Sequence, residues 1–480
     1  MSVLMVMTNN GEDHFLDRAA IENLRSSLAG ELLTIGDDGY EEARQVWNGM
    51  IDKRPALIAR CRNTDDVITT VNFVRHNNVL LAVRGGGHNV AGFATCDGGL
   101  VIDLSLMNRV EVNPQPLPVR VGGGAKLGDL DQATQEYGLA IPAGVVSDTG
   151  VAGLTLGGGL GWLRSKYGLT CDNMIAAEVV TADGRLVLAS ETENEDLFWG
   201  LRGGGGNFGI VTTFEFQAHF VGPQVWFTAA FHDGRHMKEA LQFYRHYTAT
   251  APDEVSILAA CGHFPPGAEM FPEEVHGLPF VLFVGMYAGL AAEGQRVMQP
   301  LRDFHQPLVD FSGVMPYVEA QQFYDEDYPA RELRYYWKSL NLTDLSDAAI
   351  QVIVEYTMKQ PSPLTTTDIW HIGGAIRRLS EDDSAFVGRH VPFLFTAEAN
   401  WALPGDDEIN IAWAREYIQA MSRFSDGSQY FNFPGFNEEG EQAIRATFGV
   451  KYDQLVALKN KYDPHNLFRL NQNIKPTALS

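Results

Sequence analysis

From Pro55 to about Phe220 the chain alternates apolar runs of strand length with glycine clusters; beyond Gly222 the glycine clusters thin out and aromatic residues multiply. Val79-Leu80-Leu81-Ala82-Val83 predicts a strand that delivers the loop Arg84 to Asn89. Asn63-Thr64, followed by Asp65 and Asp66, predicts a capped helix start with Val67, Ile68, Val71 and Val74 on one face. Ile210 to Phe216 is β-branched and aromatic throughout and predicts another strand. Further on, Tyr335 to Leu340 and His390 to Phe395 predict strands, and Asp406 to Met421 predicts a helix. Lys451 to Lys461 predicts a second helix, stopped by Asp463-Pro464.

These patterns predict an α+β protein in three stretches: residues 1–222 with a core of about 52–222, residues 223–425, and a C-terminal segment 426–480. A chain of 480 residues with 45% apolar content can bury more than one core. The formal charge of −24, without clustered Lys or Arg, argues against nucleic-acid and anionic-membrane partners. The N-terminus lacks a secretory signal pattern, and no run reaches the roughly 18 apolar residues of a membrane span, so a cytoplasmic protein is expected. Cys61, Cys96, Cys171 and Cys261 are scattered, which argues against disulfide frameworks and zinc sites.

The glycine clusters differ in kind. Gly204-Gly205-Gly206-Asn207-Phe208-Gly209 spells the dinucleotide fingerprint, but a strand pattern follows where that fingerprint needs a helix, which excludes a Rossmann reading. Gly122-Gly123-Gly124 suits a strand-to-helix turn. Gly85-Gly86-Gly87 and the stretch from Gly144 to Gly161 instead present many backbone amides in short spans, suited to a flat, phosphate-bearing cofactor with His88 at its edge.

At Arg84 to Asn89, Thr149 to Gly161, Trp162 to Asn173, Asp196 to Trp199 with Arg202 to Thr212, and Tyr462 to Ile474, the chain resembles FAD-linked oxidases of the vanillyl-alcohol oxidase and p-cresol methylhydroxylase superfamily, berberine bridge enzyme-like branch. The resemblance implies a PCMH-type FAD-binding domain built from residues 1–222 and completed by 426–480. Residues 223–425 would form a substrate domain whose antiparallel sheet, flanked by helices, roofs the flavin. The implied cofactor-binding residues are Arg84, Gly85, Gly86, Gly87, His88, Asn89, Thr149, Gly150, Gly153, Leu154, Gly157, Gly158, Gly161, Trp162, Cys171, Asn173, Gly209, Ile210, Val211, Asn432, Asn471 and Asn473. It further implies a flavin attached twice, through His88 at its 8α-methyl and Cys171 at its C6.

By the same resemblance Tyr430 is the catalytic base and Tyr167 a second active-site tyrosine that shares or relays the proton, with Lys338 as a candidate cation beside them. The alkaloid-cyclising members carry a glutamate on a substrate-domain strand; the similar stretch here, Gly373 to Arg378, has no carboxylate, which favours alcohol oxidation over ring closure. Thr149, small and valine-shaped, favours molecular oxygen as acceptor, giving hydrogen peroxide. The expected partners are therefore oxygen and a small-molecule sugar, alcohol or natural product. Trp337, Tyr335, Trp370 and Phe395 are candidate pocket residues. The alternatives are an amine oxidase of the 6-hydroxynicotine oxidase type, against which Cys171 argues, and a non-catalytic flavin-binding protein.

Overall fold

The computed structural model describes residues 3–113, 118–436, 438 and 440–477. Its first half holds two sheets. Glu31–Thr34, Leu57–Arg60, Leu100–Asp103 and Leu81–Arg84 lie in that order, the last three mutually parallel. The helix Thr64–Asn77 covers them with Val67, Val71 and Val74 fully buried, and the Asn63 side chain accepts from Asp66 N at 2.9 Å as its cap. The second sheet is antiparallel and places Leu186–Ser190, Met174–Val180, Ile210–Gln217, Pro118–Gly122 and Val110–Val112 side by side.

Residues 224–401 supply an eight-stranded antiparallel sheet whose central strands are buried on both faces. In Phe393–Trp401, the odd-numbered Phe393, Phe395, Ala397, Ala399 and Trp401 pack under helices such as Asp407–Met421, while Leu394 belongs to the cluster on the opposite face. Because a strand alternates with period two, Glu398 is carried to that opposite face, toward the first half of the chain. The sequence pattern began this strand at His390; in the structure it begins at Phe393. Pro392 has no N–H to give to a ladder, and its carbonyl instead accepts from Ile372 N at 2.8 Å.

The C-terminal segment returns to the first half. Ile444, Phe448, Leu455, Leu458 and Ile474 join the core formed by Val119, Phe198, Phe208 and Phe214. The expected helix stop at Asp463 is realised: the helix spans Tyr452–Tyr462, and Asp463 then accepts from Leu467 N and Phe468 N at 2.7 and 2.8 Å. All four cysteines are free and buried. Among the described residues no helix is long and apolar enough to cross a membrane.

Candidate active site

The glycine loops are shaped by contact with each other. A Cβ on Gly86 would overlap the backbone of Gly150, and one on Gly150 the backbone of Gly86; a Cβ on Gly161 would overlap the Ala143 carbonyl. Only glycine lets these segments approach so closely. Beside them lies a cavity of about 290 Å³ bordered by Gly85, Gly86, Gly87, His88, Asn89, Thr149, Gly150, Gly153, Leu154, Gly157, Gly209, Ile210, Val211, Asn432 and Asn471. Gly153 and Gly206 also face it, and a Cβ on either would meet nothing within 4 Å. Amide-rich loops with open space in front of them fit the pyrophosphate of an FAD.

His88 is held by an aromatic stack: its ring lies 4.0 Å from Trp47, which lies 3.7 Å from Tyr335. Burial lowers its pKa to about 4, so the imidazole is neutral, and its buried Nε2 has no hydrogen-bond partner. A neutral ring with an unspent nitrogen on the cavity wall fits covalent attachment to a flavin.

Other expected cofactor residues stand behind the wall. Arg84 turns away from the cavity: its guanidinium pairs with Asp103 at 2.7 and 3.2 Å and donates to the Ala43 and Gln45 carbonyls, so it braces the loop. Asn173 is consumed by the Tyr167 and Leu169 carbonyls and by His219 Nε2 at 2.6 Å. Trp162 backs the aromatic wall 6.1 Å from Trp370, and neither Gly158, Gly161 nor Asn473 borders the cavity.

Cys171, the expected second anchor, packs in the same buried cluster as Tyr430. It is fully buried and does not border the cavity; its backbone N–H donates to the Gly158 carbonyl at 2.9 Å and its Sγ faces Asp172 at 3.7 Å. Burial first, and the Asp172 charge next, push the thiol pKa up, while Arg389 and Arg202 pull it down. Asp172 is itself fixed by a buried pair with Arg389 at 2.5 and 2.9 Å.

Of the two tyrosines, Tyr430 borders the cavity and Tyr167 does not. Tyr167 stacks on His219 at 4.0 Å, with Lys166 over its ring, and packs against the cluster that includes Tyr430 without itself bordering the cavity. The Tyr430 oxygen accepts from Gly159 N at 3.1 Å and Asn432 Nδ2 at 2.9 Å. Burial outweighs these bonds and pushes its pKa up to about 12, so at neutral pH it is a phenol with its own O–H left to donate. Lys338 lies on the other face of its strand, 3.6 Å from Glu438.

The sequence reading missed the carboxyl groups. Gly373 to Arg378 forms a turn and the short helix Ala375–Arg378, and Arg378 pairs with Asp253 away from the cavity. Asp368, on Thr366–His371, and Glu398, on the neighbouring strand, border the cavity instead, with Tyr324, Tyr328, Trp337 and Trp370 around them. Glu398 accepts from Tyr328 OH at 3.2 Å and Thr396 Oγ1 at 2.9 Å, whereas Asp368 Oδ1 is buried without a partner. Burial raises both pKa values, Glu398 to about 7, and the Glu398 charge raises Asp368 further. Such a pair holds one proton and one negative charge near neutrality. Of the other expected pocket residues, Trp337 and Trp370 line the cavity, Tyr335 supports it through Trp47, and Phe395 points to the helical side.

Comparison with known proteins agrees with this geometry. Residues 55–190 match an FAD binding domain, and residues 429–475 match the family described as berberine and berberine like. The chain is 32% identical to an FAD-linked oxidoreductase of Dictyostelium discoideum over 94% of this chain and 95% of that protein. It is 30% identical to (R)-6-hydroxynicotine oxidase of Paenarthrobacter nicotinovorans, over 94% and 97%. The solved glucooligosaccharide oxidase of Acremonium strictum, described with a 6-S-cysteinyl, 8α-N1-histidyl FAD, superimposes with a TM-score of 0.83 at 25% identity, covering 96% of this chain and all of that one. With its glycine-lined cavity beside a neutral histidine, this chain belongs to the berberine bridge enzyme-like family and is an FAD-dependent oxidoreductase.

Proposed function

We propose that the enzyme oxidises an alcohol or hemiacetal carbon of a sugar or hydroxylated natural product, with oxygen as final acceptor and hydrogen peroxide as product. The observation that supports this reading is one cavity bordered by the glycine loops, Tyr430 and the Asp368–Glu398 pair together. FAD, when bound, supplies the acceptor for the hydride from the substrate C–H bond. His88 and Cys171 anchor it as two covalent attachments, and Gly153 and Gly206 leave room for its phosphates. Tyr430 donates to the substrate oxygen and fixes the C–H bond in place, while the ionised carboxylate of the pair takes the O–H proton. Glu398, whose charge keeps Asp368 protonated and which is held by the Tyr328 and Thr396 hydroxyls, is the member that receives it. Trp337, Trp370, Tyr324 and Tyr328 exclude water and offer flat faces to a sugar ring. Thr149, on the cavity wall, is small enough to leave oxygen a path.

A second reading, oxidation of an amine, is favoured by the negative charge of the pair inside an aromatic enclosure, which suits a cation. A second flavin anchor at Cys171 argues against it. Anaerobic flavin reduction against a panel of aldoses, oligosaccharides, hydroxylated aromatics and amines separates the two. Reduction by a hydroxyl compound, with peroxide formed in equal amount to the oxygen consumed, is expected; reduction by amines alone would overturn the first reading in favour of the second.

A further inference from the structure

Far from the cavity lining, three side chains with metal-binding atoms converge on the surface of the sheet domain. His236 ends the turn that opens the helix Met237–Thr248, Glu239 lies in that helix's first turn, and His305 follows the helix Ala291–Arg302. One ligand atom from each lies within 4.8 Å of the other two. Glu239 Oε2 stands 3.6 Å from His236 Nδ1 and 3.8 Å from His305 Nε2, beyond ordinary hydrogen-bond length in both cases. Donors around a tetrahedral ion with bonds of ~2.0–2.1 Å stand about 3.3–3.4 Å apart, so small rotamer shifts bring this set to that spacing.

We propose that His236, Glu239 and His305 bind a divalent transition-metal ion, with Zn²⁺ the best match. Two imidazole nitrogens and one carboxylate oxygen suit such an ion and not Mg²⁺ or Ca²⁺, which take oxygen ligands. The rings are already arranged: His236 and His305 stack at 4.6 Å, and Phe304 meets His305 edge-on at 4.5 Å, which limits the rotamers His305 can adopt. The i, i+3 spacing of His236 and Glu239 puts both on one face at the helix start. All three side chains are exposed, so an ion enters from solvent and water completes its coordination. None of the three borders the cavity. The ion therefore clamps the start of one helix to the end of another and acts on stability, leaving turnover alone.

The test uses untagged holoenzyme treated with a chelator, titrated with Zn²⁺ by calorimetry and melted with and without Zn²⁺. One ion per chain is expected, with a Zn²⁺-dependent rise in melting temperature. In His236→Ala and His305→Ala the affinity should fall by about tenfold or more, the rise should vanish, and the flavin spectrum should be unchanged. Glu239→Gln should weaken binding in the same direction. Absence of a saturable one-to-one site in the wild type, equal binding of Mg²⁺ there, or a site that survives in the double histidine variant would overturn the proposal.

Discussion

Burial outweighs the two N–H bonds the Tyr430 oxygen accepts and keeps it a phenol at neutral pH, so in the proposed reaction the substrate proton passes to another group. The Asp368–Glu398 pair is that group. Glu398→Gln should lower kcat by on the order of 10²- to 10⁴-fold with the flavin still in place, since it removes the acceptor and keeps the shape. Tyr430→Phe, which loses one donated hydrogen bond, should cost about tenfold to a hundredfold. Glu398 also sets a pH window. Its folded pKa, about 7, lies above the ordinary carboxyl value of 4.5, so between those values the folded chain holds more protons than the unfolded one. Its contribution to stability is present below the ordinary value and is lost as pH rises through about 7. Chemical denaturation of Glu398→Gln at a series of pH values should show that slope flattened, and its kcat/KM profile should lose the acid limb near 7. His88 and Tyr430 were legible because each sits in a distinctive motif. Asp368 and Glu398 were not: each is a single carboxylate in a strand that otherwise reads as buried, and only the pairing of those strands brings them together. The lone glutamate in Phe393-Leu394-Phe395-Thr396-Ala397-Glu398-Ala399 was nevertheless a signal, since a charge in such a run must be paired or functional.

At the scale of elements, the glycine loops combine two demands that separate under mutation. Gly86→Ala pushes a Cβ into the Gly150 backbone and should destabilise the fold by about 1–3 kcal/mol, read by denaturant unfolding. Gly153→Ala meets nothing in the protein and relieves a helix glycine, yet it intrudes on the cavity. It should leave the apoprotein as stable or more so by about 0.5–1 kcal/mol and still lower flavin content per chain. The start of the helix Thr64–Asn77, and the bounds of Asp407–Met421 and Tyr452–Tyr462, were readable to within a residue, because caps and apolar spacing act locally. Which loop residues face the cavity was not readable. Arg84 and Asn173 share motifs with cavity residues but are turned away by Asp103 and His219, partners distant in the sequence.

For the whole molecule, the C-terminal segment locks the two ends of the FAD-binding part together. Lys459 and Asp463 are both fully buried, 2.7 Å apart, and Lys459 Nζ also donates to the Asn207 and Phe468 carbonyls at 2.8 Å each. Asp463→Ala strands a buried ammonium and should cost about 3–5 kcal/mol, measured as a fall in the denaturation midpoint together with loss of flavin. The α+β class and the returning C-terminus followed from pattern and motif. The wall of the site opposite the glycine loops did not, because eight strands from distant segments build it. The proposed attachment of the flavin through both His88 and Cys171 is the point on which the site stands or falls, and intact mass with in-gel flavin fluorescence under denaturing conditions tests it on the wild type, His88→Ala, Cys171→Ala and the double variant. Flavin should stay with the wild type and with each single variant and be released only from the double variant. Release from the wild type or from either single variant, or retention in the double variant, would contradict it.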